Sequence, residues 1–222
     1  MPSSPSIRRV LAPNPSHMTH QGTNTYLIGR DELAVIDPGP DLPQHLEAIL
    51  AEAGPAAIRA IFVTHHHSDH LPAALPLSGR TGAPLYGHPD LPGVQRPLPD
   101  EAVVAVGDFH LRALATPGHT PEHHCYLLEE AGTIFCGDLM AGSGTVVVGS
   151  GEGELAAYLA SLRRLLALGP SRILPGHGPP MDDPAAKIRE YLEHRQLRED
   201  QILAALAGGP RTVEQTDVKI PG

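Results

Sequence analysis

A run of β-branched and apolar residues at positions 58–64 leads straight into His65-His66-His67-Ser68-Asp69-His70, and no other feature of the chain restricts its fold as strongly. Alternate side chains of a strand point to one side, so His65 and His67 share a direction at its end and can share a metal ion. The backbone must then turn into the helical pattern that starts at Leu71. That turn can carry Asp69 and His70 toward a second ion nearby. Both ions need further donors, so the fold must bring other strand ends to this point. Three candidates have the right chemistry: His119 in Thr116-Pro117-Gly118-His119-Thr120, Asp138 in Cys136-Gly137-Asp138, and His177 in Pro175-Gly176-His177-Gly178. Each follows an apolar segment and sits beside glycine. The chain has 14 histidines and no tryptophan, and the histidines cluster at such places rather than scatter.

Strand-like segments recur at 25–28, 33–37, 58–64, 84–87, 103–106, 109–115, 124–128, 133–136 and 172–174. Helical periodicity falls at 42–53, 71–77, 154–168 and 184–206. The pairs 25–37 and 124–136 read as hairpins, whereas 34–64 reads as a strand-helix-strand crossover. Two sheets with helices outside follow from that mixture. The proline-rich stretch 84–99 is expected to be an ordered surface loop, and no repeat or linker divides the chain.

His-x-His-x-Asp-His followed in order by Gly-His, Gly-Asp and Gly-His resembles the metallo-β-lactamase superfamily over about residues 20–180. The resemblance implies a mixed α/β (α+β) fold, the four-layer αβ/βα sandwich, with a catalytic domain at 1–180 and a C-terminal helix and short tail at 181–222 packed on it. It implies one metal held by His65, His67 and His119, the other by Asp69, His70 and His177, and Asp138 as the bridge. The ions are expected to be two Zn(2+) per chain; with no thiolate in the set, manganese or iron also suit these donors. Hydroxide held between two such cations would attack the scissile bond, with Asp69 and Asp138 as the catalytic carboxylates. Asn14-Pro15, the stretch from Gln21 to Leu27, the Pro175-to-Pro179 motif and a last helix carrying His194-Arg195 look like the lactamase-beta-2-like branch. That likeness places Thr23 and Asn24 beside the cleft, for substrate or loop-ordering contacts. His123 and His194 are further substrate-side candidates, His194 as a leaving-group acid. His66 and Ser68 are expected to face away from the metals, and His17, His20, His45, His88 and His110 to be solvent or packing residues.

Members of that branch usually continue into a small winged-helix-like region, and one relative cleaves single-stranded RNA. Here those helices are not expected after the stretch Gly208 to Glu214, and the formal charge of −9 supplies no general attraction for phosphates. Three functions remain open. The first is hydrolysis of an ester, thioester, lactone or lactam of a small molecule by a zinc-dependent enzyme. The others are metal-dependent cleavage of single-stranded RNA, with nucleic acid a less favoured partner, and nonhydrolytic metal binding. No apolar run is long enough to span a membrane and no signal-peptide core is visible, so a cytoplasmic protein is expected. Cys125 and Cys136 read as inert core thiols. The purified protein is expected to carry close to two transition-metal ions per chain by elemental analysis. His65→Ala or His67→Ala should empty one site and Cys125→Ala neither; a wild-type content near zero or one under metal-replete conditions would refute the two-ion reading.

Overall fold

The computed structural model describes residues 5–148 and 154–207, together with 209 and 212. One sheet runs β1 (Ile7–Leu11), β2 (Asn24–Gly29), β3 (Glu32–Ile36), β4 (Ala57–Phe62), β5 (Leu85–Gly87) and β6 (Arg96–Pro97), in that spatial order. The second is ordered β11 (Arg172–Pro175), β10 (Thr133–Gly137), β9 (His124–Leu128), β8 (Phe109–Ala115) and β7 (Val103–Val106). Helices α1 (Pro43–Ala53) and α2 (Ala74–Thr81) pack on the first sheet, and α3 (Glu154–Leu168) and α4 (Pro184–Leu206) on the second. The result is the four-layer sandwich expected from the sequence.

Strand alternation builds the layers. In β2 and β3, Tyr26, Ile28, Ala34 and Ile36 point between the sheets, while Leu27, Leu33 and Val35 point to α1 and α2. Both faces of these strands are covered, which is why they read as continuous apolar runs. The chain has only three phenylalanines, and Phe62, Phe109 and Phe135 all lie between the sheets. There Phe62 packs edge-on to Tyr126 at 5.1 Å and Phe135 to Tyr26 at 5.2 Å. Truncating a buried aromatic of this kind costs about 3–5 kcal/mol.

Differences from the sequence expectations have local causes. The strand β1 carries Arg8 and Arg9 side by side, which breaks the alternation pattern, yet it pairs antiparallel with β2 along its whole length. The proline-rich stretch is not only loop: it holds β6, two residues at the sheet edge, where Pro97 is tolerated because an edge strand leaves N–H positions unpaired. The helix expected from position 71 begins at Ala74. Pro72 has no N–H, and Ala73 donates to the Gly39 carbonyl at 3.1 Å instead of starting the helical ladder. Ile188 and Tyr191 of α4 are buried in the same core as α3. The expectation about a missing winged-helix-like region falls on 208–222, outside the described residues except at 209 and 212. Among the described residues no helix is long and apolar enough to cross a membrane.

Helix α1 is locked to the sheet by a histidine. The Thr25 hydroxyl donates to the Asp37 carbonyl at 2.7 Å, so it accepts from His45 Nε2 at 2.9 Å. That leaves His45 Nδ1 buried without a partner, and burial lowers the pKa from 6.5 to about 4. Between those values the unfolded chain takes a proton that the folded chain refuses. Stability contributed by His45 is therefore complete above pH 6.5 and is lost as pH falls toward 4. His45→Gln keeps a donor and removes the titration. In metal-depleted protein its melting temperature should fall less steeply between about pH 6.5 and 5 than that of wild type, and parallel curves would clear His45 of the effect.

Candidate metal centre

The centre is assembled on Asp37. This residue follows β3 with a left-handed φ of 49° and its carboxylate is buried. Asp37 Oδ1 accepts from the Thr64 N–H at 2.8 Å, and Oδ2 accepts from the Thr64 hydroxyl and from His70 Nδ1, each at 2.9 Å. With its hydrogen directed to Asp37, Thr64 Oγ1 accepts from His65 Nδ1 at 2.9 Å. One carboxylate thus sets the tautomers of two histidines and leaves both Nε2 lone pairs facing the cleft. His119 Nδ1 donates to the Val147 carbonyl at 2.7 Å and His177 Nδ1 to the Gly22 carbonyl at 3.3 Å, which frees their Nε2 atoms in the same way.

Those free atoms converge. His67 Nδ1 lies 2.9 Å from His65 Nε2 and 3.0 Å from His119 Nε2. His177 Nε2 lies 3.3 Å from His70 Nε2 and 3.1 Å from Asp69 Oδ2. Asp138 reaches both sets: Oδ2 is 3.6 Å from His119 Nε2 and 3.4 Å from His177 Nε2, and Oδ1 is 3.4 Å from His70 Nε2. Two groups could each hold a cation, His65, His67, His119 and Asp138 on one side and Asp69, His70 and His177 on the other, with the donor atoms of each within 4.8 Å of one another. Inward lone pairs fixed from behind by hydrogen bonds are what a resident divalent cation requires, so the residues present fit the expected metals. Glycine makes the approach possible. A Cβ on Gly176 would stand 2.6 Å from both Asp138 Oδ1 and His70 Cε1, and one on Gly137 would stand 2.6 Å from Thr64 Oγ1.

Protons balance the charge when no cation is bound. Burial would lift the Asp138 pKa, but His70 and His177 hold it well below the usual carboxylate range. Burial would lower His70, but Asp138 and Asp37 hold it well above 6.5. His177 is opposed by burial in the same way and is carried to about 9 by Asp138 and Asp69. A cation entering here must displace those protons.

The substrate-side candidates divide. The Thr23 hydroxyl lies 3.4 Å from Asp69 Oδ2, and Asn24 Nδ2 donates to the Pro175 and Gly178 carbonyls at 2.9 Å each. Both residues therefore hold the loops that carry Asp69 and His177, and neither lines the cleft above the donors. His123 is buried behind His65, ring centres 5.3 Å apart, with Nδ1 on the Thr116 hydroxyl. His194 is not brought to the cleft either. Its neighbour Arg195 acts there instead: Nη2 donates to the Val146 carbonyl at 2.6 Å and so holds the loop whose Val147 carbonyl orients His119. Ser68 and His20 are exposed at the rim of the cleft and belong to neither donor group. His66 turns away as expected and pairs with the buried Glu122 at 2.5 Å. Sequence reasoning missed Asp37, Glu122 and Arg195. Asp37, an acid at the end of an apolar strand followed by Pro38-Gly39, left a local signal, and Arg195 stood beside His194 in the motif of the last helix.

The profile described as "Metallo-beta-lactamase superfamily" matches residues 18–177. The chain belongs to that superfamily. It is 37% identical over 218 residues to the Beta-lactamase-like protein 2 homolog of Drosophila melanogaster, covering 89% of this chain and 73% of the relative. It is also 37% identical over 213 residues to an Atrochrysone carboxyl ACP thioesterase of Aspergillus fumigatus, covering 91% of this chain and 65% of the relative. Among solved structures, a metallo-beta-lactamase family protein of Thermus thermophilus superposes with a TM-score of 0.81 at 26% identity, covering 95% of this chain and 85% of that one. The superfamily membership, the fold and the hydrolase character of its members agree with the expectation from the motif.

Asp37→Asn exchanges an acceptor for a donor opposite the Thr64 hydroxyl and His70 Nδ1. Metal affinity should fall about 10–100-fold, the usual cost of losing a group that orients a ligand, with the circular dichroism of the fold retained. Unchanged affinity on titrating metal-depleted protein would show that His65 and His70 are held without Asp37.

Proposed function

We propose that the chain is a dinuclear, zinc-dependent hydrolase that cleaves a thioester, or a related ester, lactone or lactam bond, in a small molecule. The observation that carries this reading is the position of Asp138, one carboxylate within 3.4–3.9 Å of donors from both groups. Thioesters come first among the substrates because a relative sharing 37% identity is named a thioesterase.

His65, His67 and His119 would hold one cation, Asp69, His70 and His177 the other, with Asp138 shared. When bound, such cations polarise a carbonyl oxygen and bring the pKa of water down to about 7. The side chains support that chemistry. Asp69 and Asp138 accept hydrogen bonds from the attacking water and orient it, and the Thr23 hydroxyl keeps Asp69 aimed at the cleft. Above them lies a cavity of about 810 Å3 whose walls include Met18, Ala141, Val146 and Val147, suited to an apolar acyl group. Protein thiols do not compete as nucleophiles: Cys125 and Cys136 are fully buried, and burial pushes the Cys125 thiol up to about 12. The nucleophile in this reading is water held between Asp69 and Asp138.

A panel of acyl thioesters, aryl esters, lactones, a chromogenic lactam and single-stranded RNA, each with and without chelator, tests the reading. Thioester turnover should disappear with chelator and return with zinc. Asp138→Asn removes the charge that offsets two cations; it should release at least one metal and lower turnover by orders of magnitude at neutral pH. Preferred cleavage of RNA, or no metal-dependent turnover on any member, would overturn the proposal.

A further inference from the structure

His20 lines the cleft over the metal centre and also an adjoining cavity of about 490 Å3. Among the described residues no acidic side chain lines that second cavity, although the chain has a formal charge of −9. Its polar lining consists of Arg9, Gln21, Asn24 and Ser143 besides His20. Arg9 differs in its partner from its neighbour in sequence. Arg8 pairs with Glu52, and Arg59, Arg80, Arg112, Arg164 and Arg172 also meet carboxylates. Arg9 turns Nη1 instead to an amide oxygen, Asn24 Oδ1, at 3.4 Å. Asn24 cannot rotate away, because its nitrogen is held by the Pro175 and Gly178 carbonyls. The guanidinium is thereby placed at the cavity wall, and among the described residues no carboxylate pairs with it.

The partition between the cavities is held under strain. His20 has a φ of 55°, a left-handed region that residues other than glycine adopt only at a cost. The turn before it is over-determined: Ser16 Oγ accepts from the Met18 and Thr19 N–H groups at 3.1 Å each, and Ser16 and His20 form a β-bridge. The ring that both cavities share is thus held by a fixed turn.

We propose that the second cavity is an anion subsite of the substrate cleft. Arg9 takes a carboxylate or phosphate on the part of the substrate remote from the bond cleaved, and His20 separates that end from the reacting end. A guanidinium presents paired donors that match the two oxygens of either anion. In a protein acidic overall, an acid-free cavity with an arginine selects for such a group where most of the surface would repel it. The inference rests on the hydrolase reading and names a feature of its substrate.

The test uses the full, zinc-replete chain and matched thioesters whose thiol arm ends in a carboxylate, a phosphate or a neutral amide, over a series of arm lengths. At the fitting length the anionic members should show a KM about tenfold below that of the amide, with kcat unchanged, as expected for one charge-assisted contact. Arg9→Gln should erase the advantage and Arg9→Lys keep part of it, while the amide substrate is handled alike by all three proteins. Whichever anion gains more identifies the group. Equal KM values at every length, or an advantage that survives Arg9→Gln, would overturn the subsite, while turnover of the amide would still uphold the hydrolase. If no thioester is cleaved, titration of the zinc-replete protein with inorganic phosphate and with glutarate, followed by NMR, decides the matter. Binding weakened about tenfold by Arg9→Gln upholds the subsite, and identical behaviour of the two proteins refutes it.

Discussion

A carboxylate out of reach of water is costly, by several kcal/mol unless donors surround it, and Asp37 is such a group. Its donors come from a single threonine and one histidine, and its backbone completes the set: the N–H donates to the Phe62 carbonyl at 2.9 Å and the carbonyl accepts from Thr25. The ends of β2, β3 and β4 are thereby drawn to one place. Any rotation of Thr64 or His70 would strand this charge, so the orientation of the histidines is enforced by the cost of exposing an unpaired anion. Rigidity at the site and stability of the first sheet have one origin.

Much of this was legible in the sequence because metal-ligand spacing is local. His65 and His67 two apart, the turn carrying Asp69 and His70, and glycines beside His119, Asp138 and His177 are all short-range patterns, as are the apolar runs that become β2 and β3. What stayed hidden depends on partners far along the chain. Asp37 meets Thr64 and His70, 27 and 33 positions away, and Asn24 meets Pro175 and Gly178, 151 and 154 positions away. An asparagine beside a cleft motif reads as either a substrate or a loop-ordering contact, and only the fold shows its amide nitrogen on the Pro175 and Gly178 carbonyls. β1 and β6 were hidden for another reason. Edge strands need less apolar character, so the signal that reveals a central strand is weak in them.

Charge is organised on two scales. On the surface, arginines pair with carboxylates at contacts open to water, which contribute little apiece. Inside, Asp69 and Asp138 face a cluster of histidines, and among the described residues every ion-pair partner of the two carboxylates is a histidine. That leaves protons or metal cations as the mobile positive charges able to balance them. Such a cluster exchanges one for the other, and its affinity for metal rises as the competing protons are withdrawn.

Each donor group draws on both sheets. His65, His67, Asp69 and His70 follow β4 of the first sheet, whereas His119, Asp138 and His177 follow β8, β10 and β11 of the second. A cation seated in either group would therefore act as a rivet across the open rim of the sandwich, while the aromatic residues between the sheets serve as the glue further in. Loss of metal would then silence the chemistry and also unfasten one edge of the molecule. In a cell short of metal, such a chain would become prey to proteases from that rim inward, so its abundance and its activity would decline together.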